Sequence, residues 1–233
     1  MMLKPAFAAA ALTLAMSVAS AASVADLGAA TVTYDETTAL GGISGSFSSS
    51  TSYGFHWDLP SSATLVNVSP GTIASLTVDL PSFTITKNAG YDLSNLSASF
   101  GNPSFFEFGG TTNIEFSADV SFNGGPTTHV NGLIDWTLTS QGPNFSYNIG
   151  YFADSGTLPG PFSSFSVTNA SLLLTAAVAE DGKFASITSN PQNRLEISFD
   201  VTPTAPVPEP ETAAMLLAGL AAMGWVAQRR RNA

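Results

Sequence analysis

The sequence predicts an all-β protein, a single antiparallel β-sandwich of jelly-roll-like form between two chemically distinct terminal segments. Short runs rich in Val, Ile, Thr, Phe and Tyr alternate with clusters of Gly, Pro, Asn and Ser, which is the pattern of strands and turns. No long stretch of the central chain repeats its apolar residues at the helical period. The 16 Phe residues can fill the space between two sheets.

The composition excludes several kinds of chemistry. The 233 residues include no Cys and only two His, which excludes disulfide scaffolds, Cys-ligated zinc and thiol nucleophiles. Seven Lys and Arg stand against 17 Asp and Glu, for a net charge of −10. Nucleic acid is therefore not an expected partner, because few cations are available to replace phosphate counterions.

Residues 1–21 have the three parts of a secretory signal peptide. Lys4 precedes an apolar run of about 14 residues, and small residues at Ala19 and Ala21 form an A-x-A cleavage site. We expect signal peptidase to cut after Ala21. The alternative, an uncleaved membrane anchor, is less favoured because a span needs about 20 apolar residues.

Residues 22–203 are predicted to form one β-domain of about ten to twelve short strands. The clearest alternation of apolar and polar residues covers residues 114–122, and a second covers residues 73–80. The other predicted strands cover residues 31–34, 133–138, 147–152, 162–178 and 195–201. Turns are expected at residues 123–126, 160–161 and 180–183.

Two segments of this domain resemble each other. Residues 55–59 read Phe-His-Trp-Asp-Leu, residues 133–138 read Leu-Ile-Asp-Trp-Thr-Leu, and an Asn-x-Ser sequence follows each, at Asn67 and Asn169. The similarity indicates either two related sheets or merely strands of similar composition, and we favour the second interpretation. In the first segment Phe55, Trp57 and Leu59 should share the core face of a strand.

The domain offers little material for catalysis, and we predict no enzyme and no catalytic residue. His56 and Asp58 should share one strand face, as a polar outer surface or as a general base held by a carboxylate. His129 is expected to be exposed. Five aromatic residues are candidates for stacking on sugar rings: Trp57, Trp136, Tyr53, Tyr147 and Tyr151.

No metal site or cofactor is predicted, although Ca²⁺ stays open. Acidic turns at residues 180–182 and 35–36 supply oxygen ligands, but neither has the D-x-D-x-D-G order of a dedicated calcium loop. The three basic residues of residues 22–203 stand against 15 acidic ones, so this domain carries a charge of about −12. Such a charge repels anionic polymers unless divalent cations bridge them.

The last residues, 204–233, combine a linker with a three-part tail. Val207, Pro208, Glu209 and Pro210 form a segment that proline keeps extended. About 15 uncharged residues follow at 213–227, and as a helix they would rise ~22 Å, short of a ~30 Å hydrocarbon core. The cluster of Arg229, Arg230 and Arg231 should stay on the cytoplasmic side of the membrane.

This tail closely resembles the PEP-CTERM sorting signal of Gram-negative bacteria, the substrate tag of exosortases. The resemblance covers residues 207–233 and includes the Val-Pro-Glu-Pro box, the short apolar segment and the Arg cluster in that order. The Glu211-Thr212 pair departs from the small Ser-Thr pair that is more usual there. The resemblance implies export through the inner membrane, transient anchoring by the tail and processing by an exosortase.

The resemblance also implies a place for the mature protein at the cell surface or in the extracellular matrix. Proteins with this signal are generally associated with exopolysaccharide, biofilm or floc, so exopolysaccharide is an expected partner. We therefore expect a non-enzymatic structural or interaction protein. The first alternative is a carbohydrate-binding module, and the second is a secreted hydrolase with two converging carboxyls.

Overall fold

The computed structural model describes residues 22–142 and 147–204, and every regular element in these residues is a β-strand. The all-β prediction is confirmed. The strands of the described part are β1 (Ser23–Asp26), β2 (Ala30–Tyr34), β3 (Gly45–Ser48), β4 (Ser52–Asp58), β5 (Leu65–Asn67), β6 (Thr72–Asp79), β7 (Phe83–Lys87), β8 (Tyr91–Phe100), β9 (Ser104–Phe108), β10 (Gly110–Phe122), β11 (Thr128–Leu133), β12 (Trp136–Gln141), β13 (Asn148–Phe152), β14 (Asp154–Phe162), β15 (Ser164–Val178), β16 (Phe184–Thr188) and β17 (Arg194–Pro203).

These strands form three antiparallel sheets. Sheet A has the order β1-β2-β7-β15-β10-β11, and β6 also pairs with β15. Sheet B has the order β14-β8-β17-β4-β3, and sheet C has the order β12-β13-β9-β16-β5. The antiparallel architecture matches the prediction, but the described residues form 17 strands, more than the predicted ten to twelve.

Aromatic side chains join sheet A to sheet B. Phe55 and Trp57 of β4 are fully buried, and their rings lie 5.8 and 5.4 Å from the ring of Phe83 on β7. Phe83 in turn contacts Phe165 of β15, at 6.0 Å between ring centroids. Each such pair adds about 0.5–1.5 kcal/mol beyond the burial of its area. The predicted core face of residues 55–59 is therefore confirmed.

The chain contains an internal repeat that the strand registers make visible. Residues 114–121 of β10 read Ile-Glu-Phe-Ser-Ala-Asp-Val-Ser, and residues 195–202 of β17 read Leu-Glu-Ile-Ser-Phe-Asp-Val-Thr. Their partner strands carry Ser-Asn-Leu-Ser at 94–97 of β8 and Thr-Asn-Ala-Ser at 168–171 of β15. In both strand pairs the fourth residue of each segment is a Ser, and these two Ser residues lie opposite each other. The Asp of the longer segment lies opposite the residue that precedes the Asn on the partner strand. We call residues 52–122 repeat 1 and residues 128–203 repeat 2.

The two repeats exchange strands. In sheet B the order β14-β8-β17-β4 alternates between repeat 2 and repeat 1, and in sheet A the order β7-β15-β10-β11 alternates in the opposite sense. If each of these strands of sheet B is replaced by its counterpart from the other repeat, the strand order of sheet B becomes that of sheet A. The next strands also match, since Leu-Pro-Ser-Phe at 80–83 and Leu-Pro-Gly-Pro-Phe at 158–162 hold equivalent registers. The interpretation of two related sheets is thus supported over chance similarity.

The register also corrects the alignment of the two segments that suggested a repeat. Glu115 pairs with Leu133 and its counterpart Glu196 pairs with His56, so Leu133 and His56 are equivalent. In this alignment Trp136 is equivalent to Leu59, so the two Trp residues are offset by two positions and are not equivalent. The predicted strand over 133–138 is wrong, because β11 of sheet A ends at Leu133 and β12 of sheet C begins at Trp136.

The predicted turns have different outcomes. Asn123 and Gly124, at φ 53° and 66°, form the hairpin turn between β10 and β11, closed by a 2.8 Å bond from Gly125 N–H to the carbonyl of Phe122. Residues 180–183 connect β15 to β16 as expected. The turn predicted at residues 160–161 is wrong. Gly160, at φ 106°, is the centre of a bulge inside β14.

Within the described ranges, the structure has no helix that is long and apolar enough to cross a membrane.

Candidate functional site

The two Trp residues proposed for sugar stacking lie in different environments. Trp57 is fully buried beneath Phe55 and Phe83, so the prediction of sugar stacking at Trp57 is wrong: no face of its ring is open. Trp136 is 56% exposed at the start of the edge strand β12, and its ring stands edge-on to Phe105 at 5.7 Å. The two residues therefore do not share one flat surface, and stacking at Trp136 stays a prediction.

A different aromatic surface covers the outer side of sheet C. The ring of Phe106 on β9 stacks on Phe184 of β16 at 5.0 Å and 4° between planes, and on Tyr147 at 5.8 Å and 15°. Phe108 extends the row, with its ring 6.2 Å from that of Phe184. All four rings are partly exposed. We call Tyr147, Phe106, Phe184 and Phe108 the aromatic row.

Strand pairing explains why these four rings meet. Phe106 follows Phe105, which is buried on the opposite side of β9, so the strand alternation turns Phe106 outward. Residue pairs Phe106–Ser186 and Phe108–Phe184 align β9 with β16, which brings Phe184 diagonally onto Phe106. Since Phe106 and Phe184 are 78 positions apart along the chain, the sequence pattern alone gave no indication of their contact.

The outer side of sheet C carries no charged side chain among the described residues that alternate onto it. Its other members are aliphatic, hydroxyl or aromatic residues: Val66, Ser104, Thr137, Ser140, Ile149, Tyr151, Ser186 and Thr188. At its margin the Nζ atom of Lys183 lies 4.3 Å from the centroid of Phe108. A neutral, partly aromatic face on a chain of net charge −10 is suited to a neutral partner.

Two glycines support the aromatic surface from below. A Cβ atom at position 142 would collide with the ring of Tyr147, so Gly142 leaves the space that this ring occupies. A Cβ at position 150 would collide with the carbonyl oxygen of Thr137 and the ring of Phe105. The sheet can therefore hold both layers of aromatic rings only with glycine at these two positions.

His56 and Asp58 lie on one face of β4, as predicted. Their Nε2 and Oδ1 atoms are 3.8 Å apart, which is beyond hydrogen-bond reach, and the His56 side chain is only 17% exposed. The ring packs over Gly45 on the neighbouring strand β3, where a Cβ atom would lie 2.6 Å from Cε1 of His56. The pair is thus a packed outer surface of sheet B rather than a histidine oriented by a carboxylate.

A second histidine does form such a pair. His129 Nδ1 lies 2.8 Å from Oδ1 of Asp119, and the amide of Asn169 donates to Oδ2 of the same carboxylate at 2.8 Å. The Asn169 hydrogen bond and, to a smaller extent, the His129 contact lower the pKa of Asp119. His129 is 60% exposed, which confirms the predicted exposure. The pairing with Asp119 was missed because ten residues and a turn separate the two in sequence.

The acidic turns that could bind Ca²⁺ have ordinary local structure. An oxygen of Asp35 accepts a 2.8 Å hydrogen bond from the backbone N–H of Thr37, and this bond lowers the pKa of Asp35. In the described ranges no group of three or more His, Asp or Glu side chains is arranged to hold a metal ion. Calcium binding stays a prediction.

The sorting residues of the two ends lie outside the described residues. These are Ala19 and Ala21 of the signal peptide, Val207, Pro208, Glu209 and Pro210 of the extended box, the apolar segment at 213–227, and Arg229, Arg230 and Arg231. The comparisons with known proteins address the tail. No curated protein matches the chain.

A family model, described as the PEP-CTERM protein-sorting motif, matches residues 206–231. The match includes the Val-Pro-Glu-Pro box, the apolar segment and the Arg cluster. The motif implies export, a transient C-terminal membrane anchor and processing by an exosortase. The chain thus carries a C-terminal PEP-CTERM sorting motif, and this motif implies an exported surface protein that is sorted by an exosortase.

Proposed function

We propose that the β-rich body, once exported and processed, acts as a non-enzymatic interaction module in the extracellular polymer layer and binds neutral polysaccharide through the outer face of sheet C. The observation that carries this proposal is the aromatic row on a face without charge. Sugar rings present apolar C–H surfaces that pack on aromatic side chains, and the hydroxyls of Ser and Thr around the row can bond to sugar hydroxyls.

Charge supports a neutral rather than an anionic glycan. The three basic residues of residues 22–203 face 15 acidic ones, so an anionic polymer would be repelled over most of the surface. On the aromatic face this repulsion is weakest, because no charged residue in the described strands of sheet C alternates onto that face. Glu107, for example, points inward and accepts hydrogen bonds from the backbone and side chain of Thr112 at 2.7 and 2.8 Å.

Binding is tested by affinity electrophoresis of the protein in gels that contain neutral dextran or the neutral fraction of the polysaccharide from the producing cells. We expect retardation of the wild type and a loss of at least fivefold in affinity for the Phe106→Ala and Phe184→Ala variants. Phe47→Ala is the matched control, since Phe47 is an exposed phenylalanine, 41% accessible, on the outer side of sheet B. Equal retardation of all variants would contradict binding through the aromatic row.

Sorting by the tail is tested separately. Replacement of Pro208 and Pro210 by Ala should leave an unprocessed precursor in the membrane fraction, because without the two prolines the box is no longer kept extended for the processing enzyme. The measurement is the mass of the chain recovered from membrane and extracellular fractions. Normal release of the double variant would contradict the role assigned to these two prolines.

A further inference from the structure

A cavity that is open to solvent lies between sheets A and B, and the sorting signal and the aromatic row leave it unexplained. Its inner part has a volume of about 290 Å³ and is lined almost entirely by apolar side chains, among them Phe116, Phe165, Leu96 and Ile197. A wider mouth of about 360 Å³ adjoins it and shares Leu80, Ala98, Phe116, Gly156 and Leu195 with it. We call the two parts together the inter-sheet cavity.

The internal repeat shows why the cavity exists. Across sheet B, Gly156, Ala98 and Ile197 lie side by side on β14, β8 and β17. The equivalent row across sheet A is Val78, Leu172 and Phe116 on β6, β15 and β10. Two of the three residues in sheet B are therefore much smaller than their counterparts, and the side-chain volume they lack is left open between the sheets.

Exposure confirms that the missing volume is accessible. Leu172 is 2% exposed, whereas Ala98, which faces the same interior from the other sheet, is exposed to solvent. A Cβ atom added to Gly156 would meet no heavy atom within 4 Å. Natural protein cores leave few voids larger than a water molecule. A gap of this size, left by two small residues in sheet B, is therefore a property of the sequence.

We propose that the inter-sheet cavity binds the alkyl chain of a neutral amphiphile. An engineered apolar cavity of about 150 Å³ binds benzene, so a cavity nearly twice as large accommodates on the order of ten carbon atoms. Water is a poor occupant, because the walls offer almost no polar partners and a buried water needs two to four. Apolar walls with a few polar groups at one end are typical of small-ligand sites.

The mouth selects the head group. Its polar side chain is the carboxylate of Asp154, which pairs with the inward-facing Phe100, whereas Ser99 and Ser155 alternate onto the outer side of sheet B. This carboxylate, on a domain with a large excess of acids, disfavours an anionic head such as a fatty acid, and it can accept a hydrogen bond from the hydroxyl of an alcohol. The proposal is independent of glycan binding, because the cavity lies between sheets A and B and the aromatic row lies on sheet C.

In the test, the protein isolated from the producing cells is titrated with 1-decanol and, for comparison, with decanoate. Binding is measured by isothermal titration calorimetry. We expect saturable binding of one decanol per chain and at least tenfold weaker binding of decanoate. Changing Ala98→Leu and Gly156→Val restores the residues of the counterpart row and should weaken decanol binding at least tenfold. Phe106→Ala, which disrupts the aromatic row, should bind decanol like the wild type.

Each outcome decides the proposal. Absence of saturable decanol binding by the wild type would overturn it, as would unchanged binding by the folded double variant, since the alkyl chain would then occupy another site. The filled variant should unfold at a higher urea concentration than the wild type, because filling a cavity adds apolar contacts. If it does not fold, Ala98→Leu alone, which adds a side chain to an open position, provides the same comparison.

Discussion

The two bulges at the centre of the repeats share one construction but differ in their third strand. At the first, Asn95 of β8 has φ 51° and donates to Oδ2 of Asp200 on β17 at 2.8 Å. At the second, Asn169 of β15 has φ 52° and donates to Oδ2 of Asp119 on β10 at the same distance. On the far side, Ser52 lies opposite Asp200, whereas His129 lies opposite Asp119 and contacts its second oxygen.

This comparison separates what the fold requires from what one copy has added. Both bulges have an Asn at positive φ, where residues other than Gly, Asn and Asp are strained. Both also have an Asp on the neighbouring strand, which accepts a hydrogen bond from the side-chain amide of that Asn. The histidine is absent from the first bulge, so the shared geometry does not depend on it. We therefore expect the Asn–Asp pairs to stabilise the sandwich and His129 to adjust only the second pair.

The largest effect is expected on replacing the Asn residues. Asn95→Ala and Asn169→Ala should each lower the free energy of unfolding by about 2 kcal/mol, since each loses a hydrogen bond to a carboxylate and places alanine in the left-handed region. Urea unfolding measures the loss. The Asn95→Gly and Asn169→Gly variants are the controls, and they should recover the part of this loss that comes from backbone strain. A negligible loss at either position would show that the two bulges are not energetically equivalent.

The second prediction compares the two acceptors. Asp119→Ala should lower the urea midpoint more than Asp200→Ala, because Asp119 accepts two side-chain contacts and Asp200 accepts one from Asn95. A double-mutant cycle with the corresponding Asn isolates each pair. Similar coupling energies in the two cycles, together with an extra loss for Asp119→Ala alone, would assign the difference to His129. Equal losses for both Asp variants would refute the proposed difference.

The third prediction concerns pH. The folded-state pKa of Asp119 is lowered, so its carboxylate stabilises the native state above the ordinary Asp pKa of about 3.9. This contribution is lost as the pH falls through the lowered pKa. The difference in stability between the wild type and Asp119→Asn should be larger at about pH 5 than at about pH 2, shrinking as the pH falls. A difference that persists undiminished at low pH would contradict the assignment.

The sequence predicts those parts of the fold that depend on local pattern. The alternation over 114–122 appears as β10, and Asn123-Gly124 forms the expected hairpin, because both signals lie within a few neighbouring residues. The apolar run over 133–138 hides a change of sheet at Ile134-Asp135, since alternation is the same in either sheet. Gly160-Pro161 has the composition of a turn, but pairing with β8 on both sides keeps it within a strand.

The binding features depend on contacts that sequence distance conceals. Trp57 and Trp136 looked alike as aromatic candidates, yet the register places one in the core and the other at a sheet edge. Phe106 and Phe184 meet only because β9 and β16 pair at the centre of sheet C. The inter-sheet cavity is likewise visible only when Ala98 is compared with Leu172, and that comparison requires the strand exchange between repeats.

The smallest effect is expected from changing His129 itself. His129 is 60% exposed, and exposed pairs of this kind contribute little to stability, so His129→Ser should shift the urea midpoint only slightly. The His129→Ser variant makes the two bulges alike at this position, because serine is the residue that lies opposite the Asp in the first bulge. In the His129→Ser background, Asp119→Ala and Asp200→Ala should have equal effects on stability. A remaining excess for Asp119 would mean that the asymmetry arises from the surrounding strands and not from the histidine.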